Sequence, residues 1–473
     1  MDIEEFQKEA HKIVDWIVEY YKEIEKYPVK SQVVPGFIFN QLPDKPPAKS
    51  DSIEEIFNDF QKIIIPGISH WQSPNFFAYF PANSSYPSLL AEMLTAALGA
   101  QCMKWETSPA AAELEEKVLN WLRDMIGLPK YFSGVIQDTA STSTLAAIIC
   151  ARENFTRFKI NNDGFDDYKF LRVYCSTETH SSIEKAVKIA GIGKKNLVKI
   201  EIDSEFRMKP ESLEKTILKD ISKGYKPLCV LATLGTTGST SVDPIKEIGE
   251  ICKNYNLWLH IDAAYAGSAL ILPEYRKLIE GIENADSFVF NAHKWLFTNF
   301  DCSLYFVKDK DALIRTFEIN PEYLKTKSDK LVNNYCDWGI PLGRRFRALK
   351  LWFVIRSFGV EGLMKKLRYH ISLANMFKEI IFKDKEFEII APVTFNLICF
   401  RFKPRGIGDE GNLNKLNEEL LNRINKTGRI YISHTKLNGK YTLRFVIAQT
   451  NVTEKNVSDA WDLIKNISKN LKY

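Results

Sequence analysis

The chain has 473 residues, 45% hydrophobic and 26% charged, with a formal net charge of +5. That length allows about three domain-sized units, or one large domain with attachments, and the composition is that of a globular protein able to bury a large core. The 64 basic and 59 acidic residues are interspersed, which excludes a nucleic-acid-binding arm, and no apolar run approaches the ~20 residues of a membrane span.

The start, Met1-Asp2-Ile3-Glu4-Glu5, is acidic and lacks a signal-peptide core, so a cytoplasmic protein is expected. The eight cysteines form no CxxC pair, and several sit inside apolar runs, which predicts reduced core thiols. The seven histidines show no metal-ligand spacing, so no metal site is expected.

Residues 3–27 carry Phe6, Ile13, Val14, Trp16, Ile17, Tyr20 and Tyr21 among Glu and Lys, the pattern of an amphipathic helix. A helix with this much aromatic surface needs a partner: either its own domain or another subunit. A proline-punctuated tract follows at 28–49. His70–Pro74 then leads into Phe76-Phe77-Ala78-Tyr79-Phe80-Pro81-Ala82, an aromatic stretch whose prolines exclude a regular central strand. Such a stretch walls a flat apolar pocket or fills the core beneath an Ω-loop. Ser108-Pro109 opens a helix with Leu114, Val118, Leu119 and Leu122 as its buried stripe and Glu113, Glu115 and Glu116 near its start.

In the run Gly134–Leu145, Thr139, Ala140 and Ser141 precede an apolar helix. Small hydroxyl residues at a helix N-terminus leave backbone N–H groups and a favourable dipole for a phosphate, although most such caps are only caps. From 169 onward, strands and helices alternate, and the near-continuous apolar strands predict a parallel sheet covered on both faces. Ligands of such a sheet lie at the carboxyl ends of its strands. His180 follows the first of these strands, and Gly235-Thr236-Thr237-Gly238 follows a later one.

The run Trp258–Asp262 is a strand ending in a lone carboxylate, followed by Ala263-Ala264-Tyr265. One strand–helix unit later, Ser287–Phe290 is an apolar strand that ends just before Asn291-Ala292-His293-Lys294-Trp295. A lysine at the mouth of a strand among aromatics loses hydration, which lowers its pKa and leaves the amine nucleophilic. Lysine for an aldehyde and aspartate for a pyridinium nitrogen are the pair that pyridoxal 5′-phosphate (PLP) requires. After another strand at 302–307, the hydrophilic tract 325–337 has no periodicity and reads as a lid or a surface loop. Residues 343–357 form a helix ending at Gly359, and from about 366 the pattern becomes that of a smaller α+β domain.

The segments His-Ile-Asp-Ala-Ala-Tyr-Ala-Gly-Ser (260–268), Asn-Ala-His-Lys-Trp (291–295) and Pro-Leu-Gly-Arg-Arg-Phe-Arg (341–347) resemble the aromatic-L-amino-acid decarboxylases, within the PLP decarboxylases of group II. The resemblance runs from about Phe6 to near the C-terminus. It implies an aminotransferase-like α/β fold (fold type I): an N-terminal helical dimerisation segment (1–85), a large PLP-binding domain with a mainly parallel sheet (86–365), and a small α+β domain (366–473). It also implies a homodimer with the active site at the interface.

By the same resemblance, Lys294 tethers PLP, Asp262 keeps its pyridine nitrogen protonated and His180 lies against its ring. Asn291, His293, Thr139, Ala140 and Ser141 hold the phosphate, and Thr237 and Ala264 lie beside the cofactor. Trp71, Tyr79, Phe80, Pro81, Met103 and Gly343 line the substrate pocket. Ala82 stands where many relatives carry threonine, so a hydroxyl contact there is absent, and Met103 replaces an aromatic offered to the neighbouring subunit. Glycine at 343 goes with wide rings, serine with smaller ones.

The expected reaction is decarboxylation of an aromatic L-amino acid (tryptophan, 5-hydroxytryptophan, tyrosine, DOPA or phenylalanine) to its arylalkylamine and CO2, with Tyr323 returning the proton to the α-carbon. Aromatic aldehyde synthesis and histidine decarboxylation are the alternatives. Relatives that form aldehydes depart at the positions of Tyr323 or His180, and both are intact here. A catalytically inert scaffold is a third reading, and it would purify colourless.

Overall fold

The computed structural model describes residues 1–165, 168, 170–319 and 331–471. Contacts group the chain into two units: residues 82–374 with 391–397, and residues 1–81 with 375–390 and 398–473. The sequence reads as three consecutive pieces. The grouping differs because Phe76–Phe77 forms a short strand parallel to Tyr431–Leu437, in the register Phe76↔Tyr431. Phe77 also stacks on Phe445 at a centroid distance of 4.0 Å. The N-terminal segment therefore shares one sheet and one core with the C-terminal residues.

The larger unit is built on seven strands: β1 (Ser133–Gln137), β2 (Leu171–Ser176), β3 (Leu197–Ile200), β4 (Lys226–Thr233), β5 (Trp258–Asp262), β6 (Ser287–Asn291) and β7 (Ser303–Val307). Their order is β1-β7-β6-β5-β4-β2-β3. Strand β7 is antiparallel to both neighbours, and the other pairs are parallel. Every residue of β5, β6 and β7 is buried. Their apolar runs lack alternation because both faces are covered. Helices Ala140–Thr156 and Ile245–Asn254 are among those packed on this sheet.

In the second unit the five-stranded sheet has the order Phe76–Phe77, Tyr431–Leu437, Lys440–Val446, Leu397–Phe402 and Phe387–Ile389. Asn438 and Gly439, at φ +49° and +79°, make the tight turn between its two long strands, the Asn-Gly pair that such a hairpin favours. The three-residue strand Phe387–Ile389 is too short to show a period in the sequence.

Several expected boundaries move. The first helix spans Ile3–Lys22, with a separate turn at Ile24–Lys26. The arginine-rich helix begins at Arg347 and ends at Gly359, at φ +63°, as expected; a second helix follows directly and runs to Lys383. Within the polar tract 325–337, Tyr335 and Cys336 are buried in the turn Tyr335–Trp338, which anchors that part; residues 325–330 lie outside the described residues. All eight cysteines are free and buried, as their apolar surroundings predict. Among the described residues no helix is long and apolar enough to cross a membrane.

Candidate active site

Strand polarity brings Asp262, Lys294, His180 and Thr139 to one end of the strands of the large sheet. Ser303 pairs with Gln137 on one side and Asn291 on the other, so β1 and β6 end level. The turns beyond β4, β5 and β6 are laced together by backbone bonds. The Leu234 N–H donates to the Asp262 carbonyl at 2.9 Å, Ala263 N–H to Val289 at 2.9 Å, and Asn291 N–H to Ala264 at 3.0 Å.

Asp262 closes β5, is 5% exposed and accepts the Ala264 N–H at 3.0 Å. Lys294 lies in the single helical turn Ala292–Trp295 just past β6. Loss of hydration lowers its amine pKa below the ordinary lysine range, and the Asp262 carboxylate opposes that shift. The turn is fixed by its neighbour: the Trp295 indole N–H donates to His370 Nδ1 at 3.0 Å, and the ring stacks on Tyr265 at 5.3 Å. The Tyr265 hydroxyl in turn donates to Asn396 at 2.7 Å.

His180 lies four residues beyond β2. Its Nδ1 accepts the Ser182 N–H at 3.1 Å and sits 2.8 Å from the Ser182 hydroxyl, so the neutral ring carries its proton on Nε2. The ring is accessible to solvent yet loses enough hydration for its pKa to fall. The Asp262 carboxylate opposes this and the Lys294 ammonium adds to it, so Lys294, Asp262 and His180 sense one another's charge. His293 is 4% exposed, and its Nδ1 accepts the Cys302 N–H at 2.8 Å. Burial, reinforced by Lys294, pushes its pKa down to about 3. His293 is therefore neutral at physiological pH, with Nε2–H as its donor.

Thr139 caps helix Ala140–Thr156 by accepting the Thr142 N–H. Its own N–H donates to Asp138 at 2.7 Å. The first N–H groups of a helix have no intrahelical acceptor, so those of Ala140 and Ser141 are positioned for an anion. In the turn after β4, Thr236 is buried with its hydroxyl within hydrogen-bond distance of Ser239, whereas Thr237 is exposed. Gly235 has φ +89°, and a Cβ there would lie 2.6 Å from that of Ala266. Only glycine lets this turn lie against the segment following Asp262.

Amine, carboxylate, neutral imidazole donor and helix N-terminus together fit a group with an aldehyde, a basic ring nitrogen and a phosphate. Asn291 adds a second fit: its Oδ1 is buried without a hydrogen-bond partner among the described residues, as expected of a side chain awaiting a polar ligand.

The pocket candidates fall into two groups. Met103 and Gly343 belong to the larger unit. The Met103 carbonyl accepts the Cys336 N–H at 2.9 Å, and a Cβ on Gly343 would lie 3.3 Å from Gln101 Nε2. Trp71, Tyr79, Phe80 and Pro81 belong to the second unit, where Trp71 stacks on Phe76 at 4.5 Å and on Tyr79 at 5.9 Å. Ala82 opens the larger unit. Tyr323 lies outside the described residues.

Sequence reasoning overlooked the buried pair Arg344–Glu115, 2.6 Å apart. Glu115 is 2% exposed and lies in the buried stripe of Ala111, Val118 and Leu122. Its spacing was the available signal: positions 111, 115, 118 and 122 share one helix face.

The fold and the donor set define a PLP enzyme of fold type I. The chain belongs to the pyridoxal-dependent decarboxylase family, whose conserved-domain model matches residues 35–403. It is 45% identical over 476 residues to tryptophan decarboxylase 2 of Oryza sativa subsp. japonica, covering 98% of this chain and 95% of that one. It is also 45% identical over 475 residues to phenylacetaldehyde synthase of Arabidopsis thaliana, covering 98% and 96%. The crystal structure of Catharanthus roseus tryptophan decarboxylase in complex with L-tryptophan superposes with a TM-score of 0.94 at 41% identity, covering 100% of this chain and 99% of that one.

Proposed function

We propose that this chain decarboxylates an aromatic L-amino acid to its arylalkylamine and CO2. The observation that carries the reading is the pair Lys294 and Asp262, presented from adjacent parallel strands with the amine's pKa lowered by lost hydration. The similarity to a tryptophan decarboxylase supports the aromatic substrate class. PLP, when bound, supplies the electron sink that accepts the electrons of the bond to the departing carboxylate.

In this reading the Lys294 amine would hold the cofactor's aldehyde. The Asp262 carboxylate would keep the pyridine nitrogen protonated, and the His180 ring would flank the cofactor. Asn291, His293 Nε2–H, the Thr139 hydroxyl and the N–H groups of Ala140 and Ser141 bind the phosphate, with Thr237 and Ala264 alongside. Met103 and Gly343, in the larger unit, would orient the substrate's ring and carboxylate, and Trp71, Tyr79, Phe80 and Pro81 stay substrate-pocket candidates by resemblance. Tyr323 supplies the proton to the α-carbon.

A cytoplasmic homodimer completes the reading. Helix Ile3–Lys22 buries none of its residues within the single chain and exposes Ile3, Phe6, Ile13, Val14 and Val18, which supports a second subunit as their cover. The similarity to a phenylacetaldehyde synthase favours aldehyde formation as the second reading. One assay separates them: amine, aldehyde and peroxide measured with tryptophan, 5-hydroxytryptophan, tyrosine, DOPA, phenylalanine and histidine. Amine and CO2 in equal amounts from an aromatic substrate are expected. Aldehyde with peroxide in place of amine, or turnover of histidine alone, would overturn the proposal.

A further inference from the structure

We propose that Arg344 and Glu115 are positioning residues that join the phosphate cup to the wall carrying Gly343, so that one buried ion pair sets both cofactor retention and ring selectivity. The selectivity half rests on the decarboxylase reading above.

Among the described residues strand β1 is an edge strand, paired with β7 alone. Its residue Ile136 points both backbone groups away from β7, where a further strand would have bonded them. Glu115 and Arg344 take that strand's place. The Ile136 N–H donates to Glu115 Oε1 at 2.8 Å, and Arg344 Nη2 donates to the Ile136 carbonyl at 2.7 Å. The pair closes on itself at 2.6 Å, with side-chain exposures of 7% and 3%. Asp138 lies two residues beyond Ile136 and the Thr139 cap three, so the pair holds the strand that delivers the cup.

The rest of Arg344 holds the wall. Its N–H donates to Gln101 Oε1 at 2.7 Å, and its carbonyl accepts the Cys102 N–H at 3.0 Å. Nη1 reaches the Cys102 carbonyl at 3.4 Å, and the guanidinium lies 5.0 Å from the centre of the Tyr335 ring. Gly343 precedes Arg344 directly, and the Gln101 carboxamide held by the Arg344 N–H is what a Cβ on Gly343 would meet at 3.3 Å. A shift of the guanidinium therefore moves the Ile136 strand and the Gly343–Gln101 contact together. A planar guanidinium reaches Glu115, Ile136 and Cys102 at once, which a lysine ammonium cannot do with the same directions.

The test uses holoenzyme carrying Arg344→Lys or Glu115→Gln. Release of PLP is followed by the fluorescence of the free cofactor, with phosphate-free pyridoxal as a control. The ratio of kcat/KM for tryptophan over tyrosine is measured alongside, with the melting temperature recorded. Both variants should release PLP about fivefold faster or more and shift the substrate ratio by a similar factor, while pyridoxal release stays at the wild-type rate. A merely structural pair would lower the melting temperature and leave the ratio and the PLP–pyridoxal difference unchanged, which would overturn the proposal. A shift in only one of the two readouts would overturn the coupling. If the single variants do not fold, the double variant Glu115→Gln/Arg344→Gln carries the same test, because it leaves no uncompensated buried charge. Should wild type turn over neither amino acid, the proposed function fails, and the PLP–pyridoxal comparison still decides the role of the pair at the cup.

Discussion

The backbone N–H of Asn291 donates to the carbonyl of Ala264 at 3.0 Å, so the turn presenting Lys294 is bonded directly to the turn presenting Asp262. The two groups are thus set by adjacent strand ends rather than by flexible loops, and their separation follows from the register Asp262↔Val289. Residues acting through such a frame should be intolerant of truncation.

Lys294→Ala is expected to abolish turnover, since it removes both the tether and its proton-carrying amine. Asp262→Ala should leave the pyridinium without its counter-charge. Breaking a buried pair costs about 3–5 kcal/mol, which corresponds to roughly 10²–10⁴ in rate if it falls on the transition state. Single-turnover kinetics on protein with PLP still bound checks this. Near-normal turnover by Asp262→Ala would remove its assigned role.

His293 yields a prediction about stability and pH. Its folded pKa is depressed to about 3, below the ordinary histidine value of 6.5, because burial disfavours the imidazolium. Below pH 6.5 the unfolded chain therefore binds a proton that the folded chain refuses, and stability falls by about 1.4 kcal/mol per pH unit down to the folded pKa. His260, fully buried with a pKa near 4, adds a like loss over the shorter window from 6.5 to 4. His293→Gln keeps an acceptor for the Cys302 N–H but does not titrate. Urea unfolding between pH 7 and 4 should show a shallower loss of stability in this variant. An unchanged slope would mean that His293 is not a source of acid lability.

The two strand ends that carry Asp262 and lead to Lys294 were legible in the sequence. The runs Trp258–Asp262 and Ser287–Asn291 declare themselves as buried strands by lacking alternation, and each leads to one ionisable residue. Arg344 and Glu115 were not legible as a pair, since 229 positions separate them and no local period links them. The same limit hid the pairing of Phe76 with Tyr431, two residues of parallel strand joined only through the finished sheet. Gly359 was legible as a helix stop, but glycine in a sequence does not show whether a second helix resumes directly beyond it.

Gly343→Ser should penalise tryptophan more than tyrosine. The added Cβ meets Gln101 Nε2 at 3.3 Å, tighter than ordinary packing, so Gln101 must give way or the wall must move. Steady-state kcat/KM for both substrates is the measurement, and a change of about 1–3 kcal/mol in their difference is the expected scale for a pocket-size effect. Equal losses on both substrates would show that the position does not gate ring size.

Tyr323 carries the last prediction, argued from its chemistry in the sequence. After CO2 leaves, the α-carbon holds the electrons of the broken bond and must receive a proton to give the amine. A phenol brought within hydrogen-bond reach supplies that proton. Tyr323→Phe keeps the ring and removes only the donor, so the electron-rich carbon survives longer and dioxygen can intercept it, giving aldehyde, ammonia and hydrogen peroxide. CO2 release should persist while amine is exchanged for aldehyde and peroxide in equal amounts. The check is parallel measurement of CO2, amine, aldehyde and peroxide in air and under reduced oxygen, where the aldehyde fraction should fall. Amine at the wild-type rate with no peroxide would assign the acid to another group, with His180 Nε2–H the next to test.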